Sequence, residues 1–217
     1  MRIITTIEGE VITEHDDGSV HFRAKAAIDA DGANGQFGAP PSYAPSNFSG
    51  KKLDVLANAG GPGNWYGVVT DNGQPNGTPI VQGRSDPCPG AYISATALFL
   101  PGPDGESLPR ANPFKYVDAA TVPYIVVPPA IRNGVKGVVM GCLAHVTNTL
   151  NGKHIAAVVG DIGPRKKIGE ISCACASAIG LNPSPISGGV DEHVIEYVIF
   201  PGVPAIVNGE TYNLQPA

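Results

Sequence analysis

Two acidic residues follow a strongly apolar segment and are separated by a short turn that contains glycine and proline. Residues 155–159 are apolar, Gly160 and Asp161 follow them, and Glu170 comes nine residues after Asp161. Carboxylates that rigid elements hold on both sides of a short loop can face one cleft. Hydrolysis of a glycosidic bond needs such a pair, in which one acid protonates the leaving oxygen and one base activates water. Asp161 and Glu170 are therefore candidate catalytic residues.

Each of the two acids also has an ordinary structural explanation. An aspartate after a strand often forms a turn, because its side chain hydrogen-bonds to nearby backbone. A glutamate in the first turn of a helix interacts favourably with the helix dipole. Residue type and spacing alone leave both interpretations of Asp161 and Glu170 open.

Segments of alternating or β-branched residues predict that strands position these acids. An N-terminal hairpin is predicted within residues 3–28, with strands at residues 3–12 and 20–26. The further predicted strands cover residues 66–70, 91–96, 122–127, 135–140, 142–147, 155–159 and 194–200. One helix is predicted at about residues 167–178, because Ile168 and Ile171 begin an apolar stripe of helical spacing.

Several short strands with turn signals between them, together with one helix, predict a mainly β fold, a small β-barrel with one short helix and an N-terminal hairpin. Residues 1–28 are predicted to form a β-hairpin arm, and residues 29–217 the barrel domain. Residues 36–64 are rich in Gly, Pro, Ser and Asn, and we expect them to form a long ordered surface loop.

The composition restricts both the class of protein and its partners. The 217 residues include Gly 28 and Pro 21, and the apolar runs are far shorter than the roughly 20 residues of a membrane-spanning helix. With a formal net charge of −5, the chain would repel nucleic acid and attract a cationic ligand. We expect a soluble monomer that binds neither nucleic acid nor membranes.

Neither the cysteines nor the acidic turn near residue 30 predicts a cofactor. The four cysteines lack metal-ligand spacing and are interpreted as buried space-filling residues, and a disulfide between Cys88 and Cys142 stays open. Residues 29–32, of sequence Asp-Ala-Asp-Gly, are similar to the start of a calcium-binding loop. However, Pro40 stands where that loop needs its bidentate glutamate, so no metal is expected.

Residues 160–161 (Gly-Asp) are followed by Ile-Gly-Glu-Ile-Ser at residues 168–172. This pair of motifs resembles the fungal-type chitosanases of glycoside hydrolase family 75, in which a strand-end Gly-Asp turn precedes an Ile/Val-Gly-Glu-Ala/Ile-Ser helix start. Residues 28–32 and 122–126 are similar to the family's Asp-x-Asp-Gly segment and Val-Pro-Tyr/Phe strand. The resemblance covers about residues 28–200, and only the acid-bearing segment is specific.

The resemblance implies an endo-acting enzyme that hydrolyses β-1,4 linkages of chitosan and inverts the anomeric carbon without a cofactor. By position in the motif, Asp161 and Glu170 are its essential carboxylates. The implied partner is chitosan, a cationic polysaccharide. Such a substrate leads us to expect secretion, although the sequence opens without the charged and apolar regions of a leader.

Six further residues are expected to contact the sugar. They are Asp29, Asp31, Trp65, Tyr66, Asp86 and Tyr124. The three aspartates could pair with the ammonium groups of glucosamine, although turns favour aspartate in any case. The two neighbouring aromatic rings could stack on sugars, although a lone tryptophan more commonly packs in a core. Tyr124 belongs to the strand that matches the family.

A second resemblance leaves another reaction open. The order of strand, aspartate, Gly-Pro loop and second acid also looks like double-psi β-barrel proteins that cleave glycans, including rare-lipoprotein-A-type lytic transglycosylases. This resemblance implies that the fold is a six-stranded double-psi-type β-barrel. In those proteins the acid at the position of Glu170 is the proton donor, so Glu170 is assigned as general acid and Asp161 as general base. Burial near Ile168 and Ile171, with the negative field of Asp161, must then raise the pKa of Glu170. The alternatives to a chitosanase are a peptidoglycan lytic transglycosylase and a sugar-binding module without catalysis.

Overall fold

The computed structural model describes residues 1–38, 41–42 and 60–216. The chain forms two compact units, unit 1 of Met1–Asp29 with Thr121–Ala217 and unit 2 of Ala30–Ala120. The surface loop predicted over residues 36–64 lies largely outside the described residues.

Strands dominate the described part of the chain. In chain order the strands are β1 (Arg2–Ile7), β2 (Glu10–Glu14), β3 (Val20–Asp29), β4 (Gly60–Gly61), β5 (Asn64–Trp65), β6 (Tyr124–Val127), β7 (Cys142–Asn148), β8 (His154–Ile162), β9 (Glu170–Ser172), β10 (Val190–Val207) and β11 (Glu210–Tyr212). The α-helices of the described residues are α1 (Pro129–Gly134) and α2 (Cys173–Ala178). All of these elements except β4 and β5 belong to unit 1.

Six strands of unit 1 close into a barrel. Their order is β3-β9-β6-β8-β7-β10, and β10 pairs with β3 to complete the circle. The β3–β9 and β6–β8 pairs are parallel and the others are antiparallel. This arrangement confirms the prediction of a mainly β chain with a six-stranded barrel and an N-terminal hairpin. The strand β3, which the sequence analysis assigned to the arm, is itself one of the barrel strands.

The barrel is held together by buried apolar and aromatic side chains. Tyr124, Ile171 and Tyr197 are almost fully enclosed, and the ring of Phe22 stacks on Tyr197 with centroids 4.7 Å apart. The buried hydroxyl of Tyr197 donates a hydrogen bond of 2.9 Å to the carbonyl oxygen of Lys25, so its polar atom is satisfied. Burial of one large apolar side chain contributes about 1.5–3 kcal/mol to the stability of such a core.

Two-residue turns connect the strands in two hairpins of unit 1, β1–β2 and β10–β11. Glu8 and Gly9 join β1 to β2 with φ 52 and φ 88, and Asn208 and Gly209 join β10 to β11 with φ 53 and φ 83. A turn with positive φ at both central residues matches the twist of the paired strands. The single strand predicted over residues 3–12 was therefore wrong, because the chain reverses at Glu8.

The predicted helix at residues 167–178 was also wrong in its first half. Gly169 has φ 82, and a Cβ at this position would lie 2.3 Å from the carbonyl oxygen of Lys25, so the chain is not helical there. The next three residues form β9 instead. The helix α2 begins after Ser172, whose side chain accepts a hydrogen bond of 3.1 Å from the N–H of Cys175 and caps the helix.

Three of the predicted strands are replaced by other structure. Residues 135–140 form turns after α1, a helix that the sequence analysis did not predict and that begins with a proline, as first turns allow. Residues 66–70 and 91–96 contribute isolated β-bridges, such as the bridge between Val68 and Ser94. In the residues that the structure describes, no helix has both the length and the apolar character to cross a membrane.

Unit 2 is organised around a buried asparagine. The side-chain amide of Asn34 donates hydrogen bonds to the carbonyl oxygens of Ser94 at 2.9 Å and Pro113 at 3.2 Å. Its Oδ1 accepts a bond of 2.7 Å from the N–H of Ser94. Ile93 and Tyr116 belong to a small apolar cluster of the same unit. One satisfied buried amide thus ties together loops that have few strand pairings.

All four cysteines are free thiols, so the disulfide left open between Cys88 and Cys142 is not formed. Cys142 and Cys175 are buried and fill space in the barrel unit, as predicted, whereas Cys88 and Cys173 are only half-buried. Burial raises the pKa of Cys175 to about 12, which keeps this thiol protonated and unreactive.

Candidate active site

Asp161 and Glu170 flank one strand of the barrel. The strand β6 lies between β8 and β9, and its residue Val126 is paired with Asp161 on one side and with Glu170 on the other. Residues that are paired across strands direct their side chains to the same face of a sheet. The two acids are therefore presented on one face with a single strand between them.

A β-bulge at Gly160 sets the direction of Asp161. Val159 and Asp161 pair with neighbouring residues of β6, so β8 uses one residue more than β6 at this point. Side chains alternate along a regular strand, so without a bulge Asp161 would lie on the same face as Val159. The extra residue, Gly160, reverses the alternation, and Asp161 therefore lies on the opposite face. The position requires glycine, because a Cβ on Gly160 would lie 2.7 Å from the Cβ of Tyr124.

The carboxyl group of Glu170 lies against the turn that follows Asp161. A Cβ on Gly163 would lie 2.9 Å from Oε2 of Glu170 and 2.9 Å from Cγ1 of Val126. The N–H of Gly163 donates a hydrogen bond of 3.1 Å to the carbonyl oxygen of Val127, which fixes the start of the turn on β6. The Gly-Pro turn therefore brings the second acid close to the strand end that carries the first.

Glu170 is half-buried, and its pKa is raised to about 7. Burial is the largest cause, because the charged carboxylate loses water, and the negative charge of Asp29 raises the pKa further, while Lys167 and Lys25 lower it. Glu170 belongs to β9 and not to the first turn of α2, so the helix-dipole effect expected from the sequence does not apply. Glu170 therefore has the raised pKa that a general acid requires. The sequence analysis expected the charge of Asp161 to contribute to it, and the contributing charge is instead that of Asp29.

Asp29 and Asp161 lie close together at this site. One carboxylate oxygen of Asp29 is within 4.8 Å of one of Asp161. Two negative charges at this separation repel each other, and a cation bound beside them relieves the repulsion. Ca²⁺ takes 6–8 oxygen ligands, so these two oxygens do not by themselves assign a metal site. What they supply is a concentration of acidic groups next to Glu170.

The aromatic residues predicted to contact sugar differ in exposure. Tyr124 is fully buried in unit 1, and Trp65 is 7% exposed in unit 2, where its ring meets Tyr92 edge-on with centroids 5.8 Å apart. Both rings pack within their units, and their contact with substrate stays a prediction. Tyr66 is 55% exposed, and its hydroxyl accepts a hydrogen bond of 2.7 Å from the side chain of Asn64.

Asp31 and Asp86 accept hydrogen bonds within unit 2. Oδ1 of Asp31 accepts from the hydroxyl of Ser94 at 3.2 Å, and Oδ2 of Asp86 accepts from the N–H of Gly83 at 2.7 Å. Their contact with substrate stays a prediction, as does that of Tyr66. Unit 1 brings together three of the predicted site residues, namely Asp29, Asp161 and Glu170.

Glu8 contributes to this region although the sequence analysis did not predict it. Its Oε2 accepts a hydrogen bond of 2.9 Å from the N–H of Ile168, two residues before Glu170. The two residues are 160 positions apart in the chain, and no local sequence signal connects them. Only the folded barrel brings the hairpin turn to this segment.

The raised pKa of Glu170 predicts a pH-dependent loss of stability. Because its pKa is about 7 in the folded chain and 4.5 ordinarily, the folded state holds this proton more tightly. The stabilisation is complete below pH 4.5 and is lost as the pH rises through 7. This difference between the folded and the ordinary pKa of Glu170 corresponds to at most about 3 kcal/mol of unfolding free energy.

Urea unfolding at pH values from 5 to 8 measures this effect. In Glu170→Gln the group no longer titrates, so we expect the variant to gain stability relative to the wild type as the pH rises, by up to about 3 kcal/mol. A stability difference between the two proteins that stays constant with pH would contradict the raised pKa of Glu170.

Asp161 and Glu170, with Asp29 beside them, form the candidate active site of unit 1. They combine an acid whose pKa is raised to about 7, a second carboxyl group across one strand, and a third acidic group beside them. No protein-family model matches the chain, and no curated protein matches it either.

Proposed function

We propose that this protein is an endo-acting, inverting chitosanase, in which Glu170 is the general acid and Asp161 the general base. The observation that carries the proposal is the half-buried Glu170, with a pKa raised to about 7, on the same sheet face as Asp161. A general acid must hold its proton near the working pH, whereas its partner carboxylate must be free to take one.

The strands that carry the two acids are separated by one strand, which leaves room between the acids for a sugar linkage and a water molecule. Neighbouring strands lie about 4.7–4.9 Å apart, and Asp161 and Glu170 are separated by two such steps across β6. Their backbones are therefore about 9–10 Å apart. For the carboxyl groups themselves, inversion requires a separation of about 6.5–9.5 Å, so that a water molecule fits beside the sugar, and retention one of about 5–5.5 Å. The proposed inversion therefore requires the side chains of Asp161 and Glu170 to keep a separation close to that of their backbones.

Each residue then has one step in the reaction. Glu170 donates its proton to the glycosidic oxygen as the bond to the anomeric carbon breaks. Asp161 takes a proton from a water molecule, whose oxygen forms the new bond to that carbon from the opposite face. Glu170 ends ionised and Asp161 protonated, and exchange with solvent restores both. Because Glu170 must start protonated, kcat/KM is expected to fall as the pH rises above about 7.

The charge of the site favours a polymer of glucosamine. Asp29 and Asp161 concentrate negative charge beside Glu170, and the whole chain carries a formal net charge of −5. A glucosamine ammonium group complements this potential, whereas an N-acetyl group does not. The resemblance of residues 160–172 to family 75 chitosanases supports the same substrate.

Asp29→Asn tests the assignment of an ammonium contact. Loss of a charge-assisted hydrogen bond costs about 1.5–3 kcal/mol, so we expect kcat/KM on glucosamine oligomers to fall by about tenfold to a hundredfold. The matched control is Asp191→Asn, which removes the same charge from an exposed position of β10. Equal kcat/KM values for the two variants would contradict a substrate role for Asp29.

A panel of three polymers tests the function itself. The protein is incubated with soluble chitosan, chitin and peptidoglycan, and new reducing ends and product masses are followed. We expect reducing ends and glucosamine oligomers from chitosan. A 1,6-anhydro product from peptidoglycan would favour a lytic transglycosylase, and binding without any cleavage would favour a sugar-binding module; either result would overturn the proposal.

A further inference from the structure

The turn between β1 and β2 carries an unusual residue for its conformation. Both central residues of this turn have positive φ, and Glu8 has φ 52. Such turns strongly prefer Asn-Gly or Gly-Gly, and the second turn of this kind in unit 1 does use Asn208-Gly209. A glutamate at the strained position of the first turn therefore points to a requirement for its side chain.

The side chain of Glu8 binds two partners near the candidate active site. Oε2 accepts a hydrogen bond of 2.9 Å from the N–H of Ile168, and Oε1 accepts one of 3.0 Å from Nζ of Lys25. The side chains of Glu8 and Lys25 are only 29% and 25% exposed, so solvent screens this pair incompletely. Burial raises the pKa of Glu8, but the two partners outweigh it and the pKa is lowered overall, which keeps Glu8 ionised.

The segment that Glu8 binds is the one that positions Glu170. The carbonyl oxygen of Gly169 accepts a hydrogen bond of 2.7 Å from the N–H of Ala27, which starts the pairing of β3 with β9. Gly169 has no room for a side chain. Ile168 is therefore held by Glu8 and Gly169 by the backbone of β3, and Glu170 follows at once.

Charged and titratable groups surround Glu170 from several elements. They are Lys25 and Asp29 on β3, Glu8 in the β1–β2 turn, Lys167 in the preceding loop, Asp161 across β6, and Tyr197 on β10. The two lysines favour the ionised form of Glu170, and Glu8 and Asp29 favour the protonated form. Glu8 also pairs directly with Lys25.

We propose that Glu8 is a positioning residue for Glu170, which anchors the segment before it and neutralises the lysines beside it. This inference rests on the proposed function only for its catalytic consequence, because the effect on Glu170 exists with or without substrate. Without the charge of Glu8, the positive charges of Lys25 and Lys167 are less compensated, and Glu170 loses its proton at a lower pH.

Carbon-13 NMR titration of the glutamate side-chain carboxyls in the full chain measures the pKa of Glu170 directly, with Glu170→Gln providing the assignment. In Glu8→Gln the amide oxygen can still accept from Ile168, but the charge is gone, and we expect a downward shift of the Glu170 pKa. Glu14→Gln removes the same charge from a residue of β2 that pairs with Arg2, and we expect no shift. A Glu170 pKa that is the same in Glu8→Gln and wild type would overturn the proposal.

Glu8→Asn distinguishes the effect of the Glu8 side-chain contacts from the effect of the turn conformation. Asparagine suits the turn conformation better but is too short to reach Ile168, so we expect unchanged or higher stability together with a lowered Glu170 pKa. If the pKa of Glu170 in this variant equals that of the wild type, Glu8 serves only to form the turn, and the proposal fails. Adding Lys25→Met to Glu8→Gln removes the uncompensated lysine, and the pKa is expected to rise again.

Activity on glucosamine oligomers distinguishes the two proposals. The fall of kcat/KM at alkaline pH is expected to begin at a lower pH in Glu8→Gln than in wild type, in step with the NMR titration. If the Glu170 pKa moves and the wild type cleaves none of the three polymers, the role of Glu8 stands and the chitosanase assignment fails. If the wild type cleaves chitosan and its pH profile is unchanged in Glu8→Gln, the role of Glu8 fails alone.

Discussion

Replacement of Glu170 by Gln is expected to lower kcat on glucosamine oligomers by about 10²–10⁴-fold, the usual contribution of a general acid. Glutamine has nearly the same shape, so it can occupy the space beside Gly163, but it has no proton to give the leaving oxygen. Reducing-end release under substrate saturation measures the loss. Far-UV circular dichroism and urea unfolding check that the barrel is intact.

The control for this variant is Glu192→Gln, which removes a carboxylate from an exposed position of β10. It is expected to keep wild-type turnover. Turnover of Glu170→Gln within a few-fold of wild type would remove Glu170 from the reaction, and with it the proposed mechanism.

Replacement of Asp161 by Asn is expected to cause a loss of similar size, about 10²–10⁴-fold in kcat. An inverting hydrolase needs a base to take a proton from water, and an asparagine cannot accept that proton. A lytic transglycosylase forms a 1,6-anhydro product without activating water, so it would tolerate the change. The variant therefore separates two reactions that share the acid Glu170.

The control for the second variant is Asp191→Asn, which leaves the site untouched and is expected to retain wild-type turnover. If Asp161→Asn still cleaves a glycan, the mass of the products shows which reaction it catalyses. Products lighter than hydrolysis products by one water molecule would assign the chain to the transglycosylase reaction.

The sequence predicts the barrel and the strand that carries Asp161 because their signals are local. Apolar residues 155–159 form one continuous pattern, and they lie in β8 as predicted. The Gly-Asp turn predicted after them was wrong, because β8 continues through Gly160 and Asp161 to Ile162. The position of Glu170 beyond a Gly-Pro turn is likewise local information. Strand, turn and second acid can therefore be recognised without knowledge of the fold.

The conformation around Glu170 could not be predicted, because distant residues determine it. Ile168 and Ile171 have helical spacing, but Gly169 adopts positive φ and β9 pairs with β3 and β6. The residues of β3 and β6 that pair with β9 are more than forty positions away from it in the chain. These tertiary contacts outweigh the helical periodicity of the local sequence. This error placed Glu170 at a helix terminus and gave it the wrong electrostatic environment.

Two further features of the site arise only in the folded chain. Asp29 and Asp161 belong to strands that the sequence separates by most of its length, and their carboxylates are nevertheless within 4.8 Å. Glu8 lies in a hairpin turn that the sequence analysis did not predict, and it binds the backbone of Ile168. The composition predicted that acidic groups would bind a cationic substrate. Which acidic side chains lie close together is determined only by closure of the barrel.

The configuration of the newly formed reducing end tests the acid–base pair of Glu170 and Asp161 most directly. Proton NMR spectra are recorded during the first minutes of cleavage of a glucosamine oligomer, before mutarotation mixes the anomers. The geometry across β6 predicts that the α anomer appears first from the β-linked substrate, and that Glu170→Gln produces no signal. A β anomer that appears first, an anhydro end, or no new reducing end at all would contradict the assignment of Glu170 and Asp161 as an inverting acid–base pair.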